Sequence, residues 1–290
     1  MALVFAVLAA LTWGTGDFFG GLLSRDRPSE AIVPMSQLAG LVLLGVLGLA
    51  LPPDASPSAG DVVAGLGGGV LGGLGLVLFY RALATGTMGA VAPVAAVCTA
   101  LVPLAVGAVQ GERPGLAGLA GIACGIAGVW LLASTTDDEA PSPTPASGIE
   151  DREHRRVGWR GPGLGIAAGL LFGSFVVLLD RTSSSSGLVP LQAARAASIV
   201  LFVSLAWIRR VPLRASLTPS VAAVGVLDAG ANVFNLVALR LGQLGQVGLI
   251  GAFYPAATVV LARIVLAERM GPHQRLGLAL AAAALALIAA

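Results

Sequence analysis

Ten continuous apolar runs make up most of the chain, near 2–23, 31–51, 61–84, 88–110, 115–133, 161–179, 188–208, 218–240, 244–267 and 272–290. A helix needs about 20 apolar residues to cross the hydrocarbon core of a bilayer. In that medium only helices and closed barrels satisfy their own backbone groups. The runs are unbroken rather than alternating, so helices are expected and not barrel strands. With 11% charged residues, the chain has too little charge to cover a soluble domain of 290 residues. The expected fold is an all-α integral membrane protein of ten transmembrane helices. The first run lacks a basic segment before it and reads as a retained helix rather than a cleaved signal.

The runs fall into two sets of five. Between them lies a polar segment, 134–160, rich in Pro, Ser and mixed charge, which cannot pack a core and is expected to be a flexible linker. The expected domains are therefore a first unit, 1–133, and a second, 161–290. They align at an offset near 156 residues: Pro34 with Pro190, Ala82-Leu83 with Ala238-Leu239, Gly86 with Gly242, Gly89 with Gly245, Glu112-Arg113 with Glu268-Arg269, and Gly121 with Gly277. So many pairs in register mark a duplication. A unit with an odd number of crossings is inverted when it is repeated. Inverted repeats typify secondary transporters that hold their cargo near the midplane, between the repeats.

Short motifs follow the same order. Leu11-Thr12-Trp13-Gly14 lies in the first run and Tyr80-Arg81-Ala82-Leu83 ends the third. Gly111-Glu112-Arg113 closes the fourth, and Ala267-Glu268-Arg269 stands at the matching place in the second half. With these motifs the chain resembles the EamA-type permeases of the drug/metabolite transporter superfamily. The resemblance implies two five-helix repeats in the plasma (inner) membrane and transport of a small polar metabolite, often outward, by alternating access. It also implies that both termini are cytoplasmic. The arginines point the other way. Arg25, Arg27, Arg152, Arg155, Arg156, Arg160, Arg209, Arg210, Arg214, Arg269 and Arg275 fall at the end opposite the termini, against Arg113, Arg181 and Arg240. The positive-inside rule then puts the termini outside.

Polar residues within apolar runs are costly and mark function or pairing. Asp228, Asn232 and Asn235 form a stripe at i, i+4 and i+7 on the eighth run, expected to line a cargo cavity. Asp228 then binds an amine or carries a proton, or is salt-bridged for packing. Trp13 and Asp17 share a face of the first run, where an aromatic ring and a carboxylate together hold an ammonium. Arg195, with Gln192 one turn before it, suits a cargo carboxylate or a pairing with Asp228 or Asp17. Tyr254 and Thr258 share a face of the ninth run around Pro255. Pro93 and Pro103 stand in the fourth, so both runs are expected to be broken at the cavity. Arg81, Arg240 and Arg263 read as snorkelling side chains, and Glu112 and Glu268 as interfacial partners of Arg113 and Arg269. Small residues at four-residue spacing, Gly65, Gly69 and Gly73, Gly121 and Gly125, and Ala282, Ala286 and Ala290, read as close helix packing.

These features favour an amino acid or related zwitterion as cargo, with a coupling ion such as H⁺ compatible. The expected partners are the small-molecule substrate and the lipid bilayer. A formal net charge of +2 gives no case for nucleic acid, and no pattern sets an oligomeric state. Gly67-Gly68-Gly69 lies in an apolar run with no lysine after it, so it is no phosphate loop. Cys98 and Cys124 read as small apolar packers, His154 and His273 as loop residues without partner ligands. No metal, cofactor or enzymatic activity is expected. The alternative is a non-transporting polytopic membrane protein, such as an intramembrane enzyme or assembly factor.

Overall fold

The computed structural model describes residues 1–85, 88–133, 150–265 and 271–289, and among these it contains helices and no strand. The helices are α1 (Ala2–Leu23), α2 (Ser29–Ala50), α3 (Ala59–Thr85), α4 (Met88–Val109), α5 (Leu116–Ala133), α6 (Glu150–Asp180), α7 (Val189–Ile208), α8 (Pro219–Leu241), α9 (Leu244–Gly251), α10 (Tyr254–Val265) and α11 (Pro272–Ala289). Six are long and apolar enough to cross a membrane: α1, α2, α3, α7, α8 and the Gly163–Asp180 part of α6. Shorter apolar stretches lie in α4, α5 and α11.

Local chemistry sets several helix starts. At α3, the Ser58 hydroxyl accepts from the Asp61 N–H at 3.1 Å and the Asp61 carboxylate accepts from the Ser58 N–H at 2.8 Å, a reciprocal capping box. At α8, Thr218 is the N-cap and Pro219 occupies the first turn, where its missing N–H costs nothing. Gly111, at φ +90°, makes the turn after α4.

Five expectations change. The ninth run is two helices, α9 and α10, separated at Ala252–Phe253. The fourth run, by contrast, is one continuous helix through Pro93 and Pro103. A proline deletes one backbone bond but breaks a helix only where the neighbourhood lets the chain depart, and the Pro103 ring is held against Gly248 of α9. Helix α6 begins at Glu150, so residues 150–160 are helical rather than linker. His273 is in the first turn of α11, not a loop. Ala282 and Ala286 are exposed, while Gly277 and Ala284 of that helix are buried; Ala290 lies outside the described residues.

Packing between the two halves has a reciprocal pattern. Helix α1 packs on α8 and α3 on α6; α2 packs on α8 and α7 on α3; α6 packs on α4 and α1 on α9 and α10; α5 pairs with α11. The closest approaches are made by glycines 156 positions apart. A Cβ on Gly69 would run into the Ala194 backbone of α7, and one on Gly225 into the Ser36 backbone of α2. Gly65 and Gly73 extend the first contact, against Pro190 and Ser198. Small residues let helix backbones approach closely, and dispersion supplies the attraction where lipid gives no hydrophobic drive. Gly125 similarly meets Leu249. Cys98 and Cys124 are free, half-buried thiols.

Polar contacts join the halves at the helix ends. The Asp61 carboxylate also accepts from the Ser183 N–H at 2.6 Å and the Ser183 hydroxyl at 2.9 Å. Arg240, expected to snorkel, donates to the carbonyls of Ser183 at 3.2 Å and Gly187 at 2.7 Å. Glu112 does not pair with Arg113: it accepts from the Gly245 N–H at 3.0 Å, in the first turn of α9, where the helix dipole favours a carboxylate. Elsewhere Glu30 pairs with Arg81 and lies 3.7 Å from Arg209, and Arg27 donates to the Thr218 hydroxyl at 3.2 Å. Arg81 therefore has a partner as well as an exposed stem. Glu268 and Arg269, and the side chain of Arg263, lie outside the described residues.

One added methyl separates close packing from open space. Gly69→Ala places a Cβ within 2.6 Å of the Ala194 carbonyl carbon, whereas a Cβ on Gly45 meets nothing within 4 Å. Overpacking costs about 1–3 kcal/mol, and the upper end applies when the obstacle is backbone. Thermal unfolding in detergent should show Gly69→Ala clearly destabilised and Gly45→Ala at or above wild type. Equal melting of the two would contradict this packing.

Candidate functional site

The polar stripe of α8 faces inward. A cavity with about 820 Å³ of atom-free space, its open side included, lies among α1–α4 and α6–α10. Seven of the nine residues singled out from the sequence line it: Trp13, Asp17, Arg195, Asp228, Asn232, Asn235 and Tyr254. The other two do not. Gln192 donates to the Leu44 carbonyl at 2.9 Å, tying α7 to α2. Thr258 donates to the Gly14 carbonyl at 3.0 Å, tying α10 to α1. Both are half-buried residues whose polar groups are spent on helix contacts.

Arg195 is only 7% exposed. It donates to the Asp228 carboxylate at 2.5 Å and to the Gln37 side-chain carbonyl. A buried guanidinium requires such a charged partner and further acceptors. Of the two acids that the sequence offered as partners, Asp17 and Asp228, it is Asp228 that Arg195 meets. Gly40 leaves the room: a Cβ there would come within 3.4 Å of Arg195 Nε. Asn232 donates to the Asp228 backbone carbonyl at 2.7 Å and lies 3.3 Å from its carboxylate.

The remaining wall is polar without partners. Asn232 Oδ1, both side-chain polar atoms of Asn235, Ser198 Oγ and the Tyr254 hydroxyl are buried and make no hydrogen bond among the described residues. The last lies near Thr99. Leaving such a group unsatisfied costs about 1–3 kcal/mol, so water or a ligand is the expected partner. Asp17 has no hydrogen-bond or ion-pair partner among the described residues. Trp13 stands one turn before it, with its ring over Gly251, 3.4 Å from where a Cβ would be. Tyr254 packs edge-on against Phe79 at 6.0 Å. Trp13 and Tyr254 thus flank the α9–α10 break.

A model of the EamA-like transporter family matches residues 1–134 and 159–290. The chain belongs to that family. It is therefore a multi-pass membrane protein of the drug/metabolite transporter superfamily, whose members are transporters rather than enzymes. A solved crystal structure, titled only as a protein, aligns with 99% of this chain and 95% of its own at 17% identity, with a TM-score of 0.70. That likeness concerns the fold alone. Among curated proteins, none matches.

Sequence reasoning passed over Gln37, Ser198 and the apolar wall of Phe172 and Phe175. Ser198 was legible, one turn beyond Arg195 on the same face. Gln37 carried only the signal of an amide within an apolar run. For this EamA-like chain, the Arg195–Asp228 pair predicts a stability pattern. Arg195→Met strands the Asp228 carboxylate and should destabilise the protein by about 3–5 kcal/mol. Arg195→Met/Asp228→Leu should recover most of that loss in detergent unfolding. A double variant no better than the single would show that the pairing is not what holds these helices.

Proposed function

We propose that the chain is a secondary or facilitative carrier that moves a small, amine-bearing polar metabolite across the plasma membrane. The single observation behind this reading is the set of buried, unpartnered polar atoms of Ser198, Asn232, Asn235 and Tyr254 on one cavity wall. Packing alone does not account for them, because a dry cavity lined by unsatisfied polar groups is unfavourable. A cargo that donates and accepts hydrogen bonds satisfies them in turn.

Ten crossings in two inverted five-helix units are part of the proposal. The reciprocal helix contacts support it, as do Gly69 and Gly225, one repeat offset apart and each against the other half. The cavity draws its walls from both halves, so rocking one against the other would expose it to each side of the membrane in turn. The α9–α10 break beside it is irregular backbone where a cavity tolerates it. Of the zwitterionic cargo expected from the sequence, the amine is supported by Asp17 and the aromatic rings of Trp13 and Tyr254. The outward direction rests on the family resemblance.

Counterflow in proteoliposomes preloaded with pooled polar metabolites tests this. Wild-type protein should show saturable uptake of labelled cargo. Asn235→Leu should lower it at least tenfold without loss of thermal stability, since it removes unpartnered polar atoms rather than contacts. Absence of saturable exchange from every pool, or full exchange by Asn235→Leu, would overturn the assignment.

A further inference from the structure

The cavity wall holds two acids and one base, Asp17, Asp228 and Arg195. Arg195 and Asp228 neutralise one another at 2.5 Å. Asp17 is left over: it has no hydrogen-bond or ion-pair partner among the described residues. Fully ionised, the wall therefore carries one uncompensated negative charge. A carboxylate in a low-dielectric site holds its charge only when a counter-charge meets it. A zwitterion brings no net counter-charge: its ammonium can meet Asp17, but its own carboxylate then needs a cation in turn. Its carboxylate would also have to compete with Asp228 for a guanidinium that already has both an acid and the Gln37 amide.

We infer that the cargo site selects a monocationic amine lacking a free carboxylate, with Asp17 as the residue that sets this charge selectivity. This rests on the carrier reading above and narrows its cargo class. The ammonium sits against Asp17, within reach of the Trp13 face. The ligand's neutral polar groups meet Ser198, Asn232 and Asn235, buried residues that line the cavity and carry unpartnered polar atoms among the described residues. Arg195 and Asp228 then act as a structural pair that positions the α8 stripe, not as a carboxylate clamp.

The test is isothermal calorimetry on the full-length chain in detergent, with three matched pairs: alanine and ethylamine, leucine and isoamylamine, phenylalanine and 2-phenylethylamine. Each amine carries one positive charge and each amino acid none. At least one amine should bind ten times more tightly than its parent amino acid. Asp17→Asn should remove that preference and Asp17→Glu should retain it, the latter controlling for misfolding. An amino acid that binds as well as its amine, or an amine preference that survives in Asp17→Asn, overturns the inference and leaves carriage of polar metabolites standing. A cargo found by counterflow to be uncharged does the same. Failure of counterflow with every pool removes the carrier reading itself, which is a separate result.

Discussion

A guanidinium in the middle of an apolar bundle has to be met by an acid, and most of the central geometry follows from how this chain does so. Arg195 on α7 is met by Asp228 on α8 and by Gln37 on α2. Three helices from two halves of the chain are thereby held at one depth. Gly40 clears the space for the guanidinium, and Gly225 lets α8 lie against the α2 backbone. Once Asp228 is held in this way, the face that carries it also presents Asn232 and Asn235. Their side chains find too few acceptors and donors in the wall around them, where Ser198 and the Tyr254 hydroxyl are unpartnered too among the described residues, so the space beside them cannot close dry.

Around that centre, attraction between helices comes from close approach rather than from the exclusion of water. Glycines on α3 and α8 allow backbone contact, and polar groups are reserved for the helix ends. Asp61 with Ser183, Glu112 with Gly245, and Arg27 with Thr218 each join one half to the other. These end contacts lie where water can compete, so they are the cheaper ones to exchange. The Arg195 cluster and the glycine contacts are not.

Much of this was legible in the sequence, for identifiable reasons. Apolar run length gave the helices, because hydrocarbon leaves the backbone no other partner. The 156-residue offset, read from other pairs, also relates Gly69 to Gly225, but only the structure shows both to be contact positions. The inward face of α8 followed from three polar residues at helical spacing. Proline was less informative: Pro103 and Pro255 are the same signal, yet α4 continues and the ninth run is divided. The difference lies in what surrounds them, the Gly248 surface in one case and the Trp13 side chain over Gly251 in the other. Gln192 and Thr258 looked like site residues because each shares a face with one, but their polar groups reach neighbouring helix carbonyls at Leu44 and Gly14.

By itself, the sequence determined that the chain is helical, membrane-embedded and polar at a few internal positions. These properties depend on local composition and on periods short enough to read along the chain. The tertiary structure decided which acid Arg195 takes, and so which one is left. Asp17 and Asp228 are both carboxylates on apolar helices and nothing in their local sequence ranks them. Only the crossing of α7 with α8 and α2 brings Asp228 to 2.5 Å from the guanidinium and leaves Asp17 at the cavity without a partner among the described residues. Electrostatic pairing acts over a few ångströms between residues far apart in the chain, and that distance is set by packing.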